Sequence, residues 1–276
     1  MDVRMKIYCI PGGGTPASVF FQWVPLLKGK ATVRTLDYAR TFSDQSTPSV
    51  QGIAAKLYEK IQAELDEAED YMLLSSCTGT LIAYELYQQI AAHRKRLPQY
   101  VVAVSAFSPA TAYYQGNRYL CAENRAHITG IYRALFDPSL FLDPDHSAQV
   151  CADWLLAQNQ DPSLTATVLP PKTVLGASCT YEQEMMLQFA NSTITMLTFD
   201  WYIASAYAFD ADANRSIASK LVVLHGTEDA LVSTADAKAW ESLAAGGMQL
   251  IEIPGDHNII TNQTHACMEQ ILKLLS

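Results

Sequence analysis

The sequence is short of charge and of the devices that mark several functional classes. Only 17% of its 276 residues are charged, and 19 Lys and Arg stand against 28 Asp and Glu, a net charge of −9. A chain of that sign has no general grip on nucleic acid or on an anionic lipid surface. The six cysteines, Cys9, Cys77, Cys121, Cys151, Cys179 and Cys267, form no C-x-x-C pair, and no cluster of histidines accompanies them. Neither a metal site nor a disulfide framework is expected. No apolar run has spanning length. The opening MDVRMKIYCIPGGG holds only about four apolar residues before Pro11, too few for the core of a secretory signal. The expected location is therefore the cytoplasm, where the sequon Asn191-Ser192-Thr193 would be a coincidence. Linker-like stretches are lacking too, so one domain with an insertion is the simplest organisation.

What the chain does contain is organised around Tyr71 to Glu85, YMLLSSCTGTLIAYE. A short apolar run ends in the cramped turn Ser75-Ser76-Cys77-Thr78-Gly79, and a helical pattern begins at once behind it. A nucleophile elbow, G-x-S-x-G, has this form: a strained strand-to-helix turn exposes its central side chain, and the residues two before and two after must be small. Ser75 and Gly79 meet that demand only with Cys77 at the centre. Centring on Ser76 would put Leu74 and Thr78 at the crowded positions. Cys77 thus reads as a nucleophile near a helix N-terminus, where unpaired N–H groups and the helix dipole favour a thiolate. The bland alternative is a small buried apolar residue, and the turn around it argues against that.

Taken in order, Lys6 to Ile10 is a brief strand running into Pro11-Gly12-Gly13-Gly14-Thr15-Pro16. Its glycines would let backbone N–H groups approach a bound oxyanion. A nucleotide-phosphate loop would need G-x-x-x-x-G-K-[ST] or G-x-G-x-x-G opening a helix, and neither is present. Thr32 to Leu36 is a second strand. Val50, Ile53, Ala54, Leu57, Ile61 and Leu65 then recur at helical spacing. Beyond the elbow helix, His93-Arg94-Lys95-Arg96 suits a solvated helix C-terminus, or else a docking patch for an acidic partner. Val101 to Ser105 is a β-branched strand, and the alternation so far predicts a doubly wound, mostly parallel sheet. It stops between about residues 111 and 218. There Tyr119 to Phe136, His146 to Ala157 and Tyr181 to Phe209 look helical, with breaks at Asp137-Pro138, Asp143-Pro144, Asp161-Pro162 and Pro170-Pro171. Asp-Pro opens helices, Asp capping and Pro at the first helical position. This segment is expected to be an all-helical lid on a core made of residues 1–110 and 219–276. Its apolar stock, Trp154, Met185, Met186, Phe189, Met196, Phe199, Trp201, Tyr202 and Tyr207, would mostly pack the lid, some of it lining a substrate tunnel. Lys220 to His225 and Met248 to Ile253 restore the sheet, and His265 to Leu275 closes the chain as a helix.

A thiol nucleophile needs a base, and the base an orienting group. Cys77, Asp229 and His257 follow the chain order nucleophile, acid, histidine, each just past the C-terminal end of a predicted strand. Asp256 could replace Asp229 only by curling back beside its neighbour His257. An oxyanion would be held by the Thr78 N–H and by that of Gly12, or of Gly13 in its place.

With I-P-G-G-G-T, S-S-C-T-G, H-G-T-E-D and P-G-D-H aligned, nearly the whole chain resembles the α/β-hydrolase thioesterases of nonribosomal peptide and polyketide assembly lines. Members fused to synthases often carry their acid after the strand before the lid. Here that position reads Ser105-Ala106-Phe107, so the likeness is to the stand-alone, type II branch, and a start at Met1 shortly before the first strand agrees. The resemblance implies no cofactor of the enzyme's own, and a substrate arriving as a thioester on the phosphopantetheine arm of an acyl or peptidyl carrier protein. Two departures stand out: cysteine replaces the usual serine, and the lid is long. Cysteine is similar to two uses known in the superfamily, release domains that close strained or nitrogen-bridged rings and acyltransferases that shuttle aminoacyl groups between carriers. Hydrolysis by a Cys-His-Asp triad, as in dienelactone hydrolases, stays open. So do a small-molecule hydrolase without a carrier and a catalytically idle module that shields carrier-bound chains.

Overall fold

The computed structural model describes residues 5–13, 15–38, 49–65, 70–111, 120–136, 138–141, 143–160, 180–211 and 215–276. Among these residues six strands form one sheet: β1 (Met5–Ile10), β2 (Ala31–Thr35), β3 (Asp70–Ser76), β4 (Tyr100–Val104), β5 (Lys220–Gly226) and β6 (Met248–Ile253). Every pairing is parallel, in the order β2-β1-β3-β4-β5-β6. Parallel strands need covered faces, which is why the inner strands β3, β4 and β5 are mostly apolar runs, whereas the edge strands β2 and β6 carry Arg34, Gln249 and Glu252 and are only partly buried. Ile7, Cys9, Met72, Leu74, Val102, Val104, Val222 and Leu224 enter one core with Phe20, Trp23, Leu27, Cys267, Met268 and Ile271. The intervening Tyr8, Leu73, Ala103 and Val223 are buried as well.

The helices follow the expected spacing closely. The first, α1 (Val50–Leu65), buries all six of its periodic apolar residues, and α2 (Gly79–Ala92) begins directly behind the turn at Cys77. Between β5 and β6 lie a short helix α6 (Thr234–Lys238) and a 3₁₀ turn, and a 3₁₀ stretch occupies Ala17–Trp23. Neither was evident in the sequence. The chain closes with α7 (Ile259–Asn262) and α8 (Thr264–Leu274).

Two compact units result: Met1–Gly12, Pro16–Thr111 and Phe209–Ser276 in one, Gly13–Thr15 and Ala112–Ala208 in the other. All regular structure described in the second is helical: a 3₁₀ turn at Ala122–Asn124, then α3 (Arg125–Leu135), α4 (Pro144–Gln160) and α5 (Tyr181–Ser205). Tyr119, Asp137, Asp161-Pro162, Pro170-Pro171 and Cys179 lie outside the described residues. Asp143-Pro144 does open a helix, because Asp143 Oδ1 accepts the His146 N–H at 2.9 Å and Pro144 is its first residue. Asp143→Ala should therefore lower the unfolding free energy by about 1 kcal/mol in a denaturant melt. Inside this unit the Tyr132 hydroxyl lies 2.6 Å from Thr198 Oγ1, and Arg125 holds Asp153 through two nitrogens. Trp201, Tyr202 and Tyr207 are buried, whereas Met185, Met186 and Phe189 are exposed along a groove of about 430 Å³ that Ala134, Leu135 and Leu140 also line.

Residues 209–218, expected within the lid segment, belong to the sheet unit. Arg215 fastens to α2: its carbonyl accepts the Tyr84 hydroxyl at 2.6 Å and the Gln88 amide at 3.0 Å, and its guanidinium pairs with Glu85.

Candidate active site

From β1 the chain turns outward to the edge strand β2, whereas from β3 it proceeds the other way, to β4, β5 and β6. β1 and β3 thus flank the point where the strand order reverses, and ligands of open α/β sheets bind at the C-terminal ends of the strands at such a point. The glycine turn leaves β1 there, and the turn holding Cys77 leaves β3.

Cys77 has φ 48°, a left-handed conformation that non-glycine residues rarely adopt. The surrounding contacts enforce it. Its N–H donates to the Val104 carbonyl at 3.0 Å and its carbonyl accepts the Thr80 N–H at 3.0 Å, which ties the turn to β4 on one side and to α2 on the other. A Cβ on Gly79 would collide with the Pro11 carbonyl, and one on Gly12 with the Gly79 amide and the Ser76 carbonyl. Only glycine permits the two loops to pack this closely. Ser75, the other small position, is fully buried, and its hydroxyl donates to the Val102 carbonyl at 3.2 Å. Cys77 is two residues ahead of the helix; Thr78 is the N-cap, adjacent to Gly12. Gly13, with φ 65°, belongs to the other unit.

Cys77 is partly exposed, unlike Cys9, Cys151 and Cys267. Burial pushes those three thiols up, the latter two to about 12, which leaves them inert at neutral pH. Cys121, also partly exposed, is in the helical unit.

The loops after β5 and β6 are laced together. Glu228 N–H donates to the Gly255 carbonyl at 2.8 Å, and Thr227 N–H to that of Ile253 at 3.0 Å. A Cβ on Gly226 would collide with the Asp256 carbonyl. This lacing brings Asp229 Oδ2 to 2.8 Å from His257 Nδ1. The other oxygen, Oδ1, accepts the N–H groups of Leu231 and Val232 at 2.8 and 2.9 Å, so the carboxylate is fixed at both ends. Those two amides were missed in the sequence, although an Asp two and three residues before them is the ordinary signature of an Asx turn. Asp256 is directed elsewhere, accepting the Asn258 N–H and the Asn262 side-chain amide.

Burial opposes charge on both members of the pair, and the partners outweigh it. Burial raises Asp229, but the hydrogen bond from His257, its charge, and the amides of Val232 and Leu231 bring it below the usual carboxylate range. Burial likewise depresses His257; against it the charge interaction with Cys77, then Asp229, hold the imidazolium up to about 10. His257 Nε2 is buried and has no hydrogen-bond partner of ordinary geometry among the described residues. The sign for stability follows. The contribution of His257 is complete below its unfolded value of 6.5 and is lost as pH rises through about 10. That of Asp229 is present above 3.8 and is lost as pH falls through its depressed folded value. Because Cys77 supplies the largest upward influence, removing the sulfur should drop the ring's titration well below about 10. An NMR titration of the His257 ring in the wild type and in Cys77→Ala measures this directly.

The arrangement thus combines a partly exposed sulfur at a strained turn, an imidazole within its electrostatic reach that a carboxylate orients, and two tightly packed turns at the same end of the sheet. Among the described residues no three His, Cys, Asp or Glu side chains gather as a metal site would require, and no helix is long and apolar enough to cross a membrane.

No family model and no curated protein matches the sequence. Solved structures do match the fold. ClbQ from the colibactin NRPS/PKS pathway superposes with a TM-score of 0.65 at 19% identity, over 99% of this chain and 98% of its own. RedJ, a thioesterase from the prodiginine biosynthetic pathway in Streptomyces coelicolor, gives 0.68 at 12% identity over 98% and 85%. BorB, the type II thioesterase from the borrelidin biosynthetic cluster, gives 0.65 at 13% over 100% and 94%. The fold is that of the α/β-hydrolases, as the turn motifs had implied.

Proposed function

We propose that this chain is a thioesterase-family enzyme that takes an acyl or aminoacyl group from a carrier-protein phosphopantetheine thioester onto Cys77. It then releases the group by hydrolysis or cyclisation, or transfers it to an amine or thiol. The observation that carries this reading is the seating of Cys77 on left-handed backbone beside His257, whose far nitrogen is 2.8 Å from Asp229. The fold it shares with thioesterases such as RedJ and BorB supports it.

In the forward half, Cys77 Sγ attacks the thioester carbonyl. The oxyanion develops toward the N–H groups of Thr78 and Gly12. Collapse breaks the bond to the pantetheine sulfur, which leaves with the proton from His257 Nε2. In the second half, neutral His257 takes a proton from water, an amine or a thiol as that group attacks the acyl-Cys77 carbonyl, and Cys77 leaves as thiolate. Asp229 fixes the ring with Nδ1 protonated and stabilises the imidazolium. The helical unit would serve as the lid.

Cysteine biases the outcome. Exchange of one thioester for another is nearly balanced in free energy, so the acyl group stays activated, whereas an ester on serine would have lost that activation. Delivery to an amine, a thiol or an internal hydroxyl is favoured over plain hydrolysis. Incubation with acetyl-pantetheine tests the scheme: intact-mass analysis should find one acetyl group on Cys77, discharged faster by amine or thiol than by water. A protein that merely binds would gain no mass.

A further inference from the structure

No acidic residue occurs between Asp2 and Asp37, in a chain that has 28 of them. Of the basic residues in that interval, Lys6 and Arg34 are paired with Glu64. Lys28 and Lys30 are exposed and belong to no ion pair among the described residues. They end a segment that is anchored from within by Phe20, Trp23 and Leu27, all fully buried, with the rings of Phe20 and Trp23 edge to face at 5.7 Å. Between these anchors the segment presents Phe21, Val24 and Leu26 to solvent, 61%, 49% and 39% exposed. Apolar side chains held outward on a fixed backbone, with a rim of one charge sign, mark an interaction surface.

We propose that Phe21, Val24 and Leu26, rimmed by Lys28 and Lys30, dock the acidic carrier protein that delivers the thioester; this rests on the function proposed for Cys77. The segment starts from the glycine turn, at the end of the sheet that bears Cys77, and descends to Ala31 at the opposite end. The glycine turn, whose Gly12 packs against Gly79 and Thr78 beside Cys77, thus leads into the patch. The two lysines attract carboxylates on the carrier, while the chain as a whole, at net charge −9, turns them away from the rest of its surface. A patch of so few residues suits a partner that must leave after each delivery. An extended anionic membrane would meet that same overall negative charge, and a second copy would set lysine against lysine across a two-fold axis.

The test uses an acidic stand-alone acyl carrier protein bearing acetyl-phosphopantetheine, with acetyl-pantetheine as the untethered substrate. Lys28→Glu/Lys30→Glu and Phe21→Ser should each weaken carrier binding, followed by fluorescence anisotropy, and lower kcat/KM for the carrier substrate by about tenfold. Rates on acetyl-pantetheine should stay within about twofold of wild type, and the effect of charge reversal should fade as salt is raised. Three results would overturn the proposal: unchanged carrier binding in these variants, equal losses on both substrates, or binding to phosphatidylglycerol vesicles or self-association that the reversals abolish while carrier binding persists. Patch-dependent binding with no acylation of Cys77 by either thioester would instead defeat the catalytic scheme, so the two failures are separable.

Discussion

Cys77→Ala should remove turnover of pantetheine thioesters, by about 10³-fold or more in kcat/KM, and with it any acyl adduct in the intact mass. The protein itself should fold normally. The backbone bonds that hold the turn, from the Cys77 N–H to Val104 and from Thr80 to the Cys77 carbonyl, do not involve the sulfur, and the side chain is only partly buried. Alanine at φ 48° is as constrained as cysteine there, so little stability changes. Cys77→Ser is the sharper companion. It retains a nucleophilic atom but removes the sulfur whose charge interaction is the largest influence raising His257. The serine enzyme then needs neutral His257 to accept its proton, and its rate should climb with pH through the lowered pKa of the ring. Its acyl-enzyme would be an ester, so the products should shift from transfer toward hydrolysis. An active Cys77→Ala, or a Cys77→Ser variant with the wild-type pH profile and product ratio, would dismiss the thiolate from the mechanism.

That such an experiment can be aimed at one atom reflects how local the strongest sequence signals are. Small residues at positions 75 and 79 single out Cys77 because the crowding they relieve comes from the adjacent turn, and the structure places Gly79 against the Pro11 carbonyl. The helix over Val50 to Leu65 is legible because its apolar spacing is a property of neighbours. Likewise the buried parallel strands, apolar on both faces, appear within a residue or so of their expected limits. Less was legible where structure depends on distant partners. The 3₁₀ stretch Ala17–Trp23 has no side-chain cap, and its Phe20 and Trp23 are buried only because the sheet and α8 lie beneath them. The helix α6 does carry a local mark, a capping box of Ser233 and Asp236, that the turn-like run before it obscured. At the site, the pairing of Asp229 with His257 depends on two loops being laced, and its register is set by Gly226 against Asp256. Chain order could nominate these residues; only the lacing brings them together. The proximity of Gly12 to Thr78 is of the same kind, a product of strand order at the switch point.

The largest stability loss is expected at a pair that the mechanism does not use. Glu85 is buried on α2, and the guanidinium of Arg215, itself mostly covered, reaches it from the segment that leads into β5. Arg215→Ala leaves the Glu85 carboxylate in the interior without that counter-charge, which should cost about 3–5 kcal/mol in a denaturant melt. Glu85→Gln should cost less, since the Arg215 side chain keeps 21% of its surface in water and its guanidinium still lies over the Tyr84 ring at 5.6 Å. Removing the stranded charge as well, in Arg215→Ala/Glu85→Gln, should recover part of the loss, a non-additivity that packing alone would not produce. The Arg215 carbonyl still accepts Tyr84 and Gln88 in every variant, so the tie between α2 and the approach to β5 is weakened and not cut. Because α2 begins at the Cys77 turn and β5 ends at the loop of Asp229, the tie braces two residues of the candidate site from behind. Below the melting transition, activity should therefore survive in Arg215→Ala, and loss of activity on warming should run ahead of the wild type in step with unfolding. Losses that precede unfolding would assign the pair to the site and not to the scaffold.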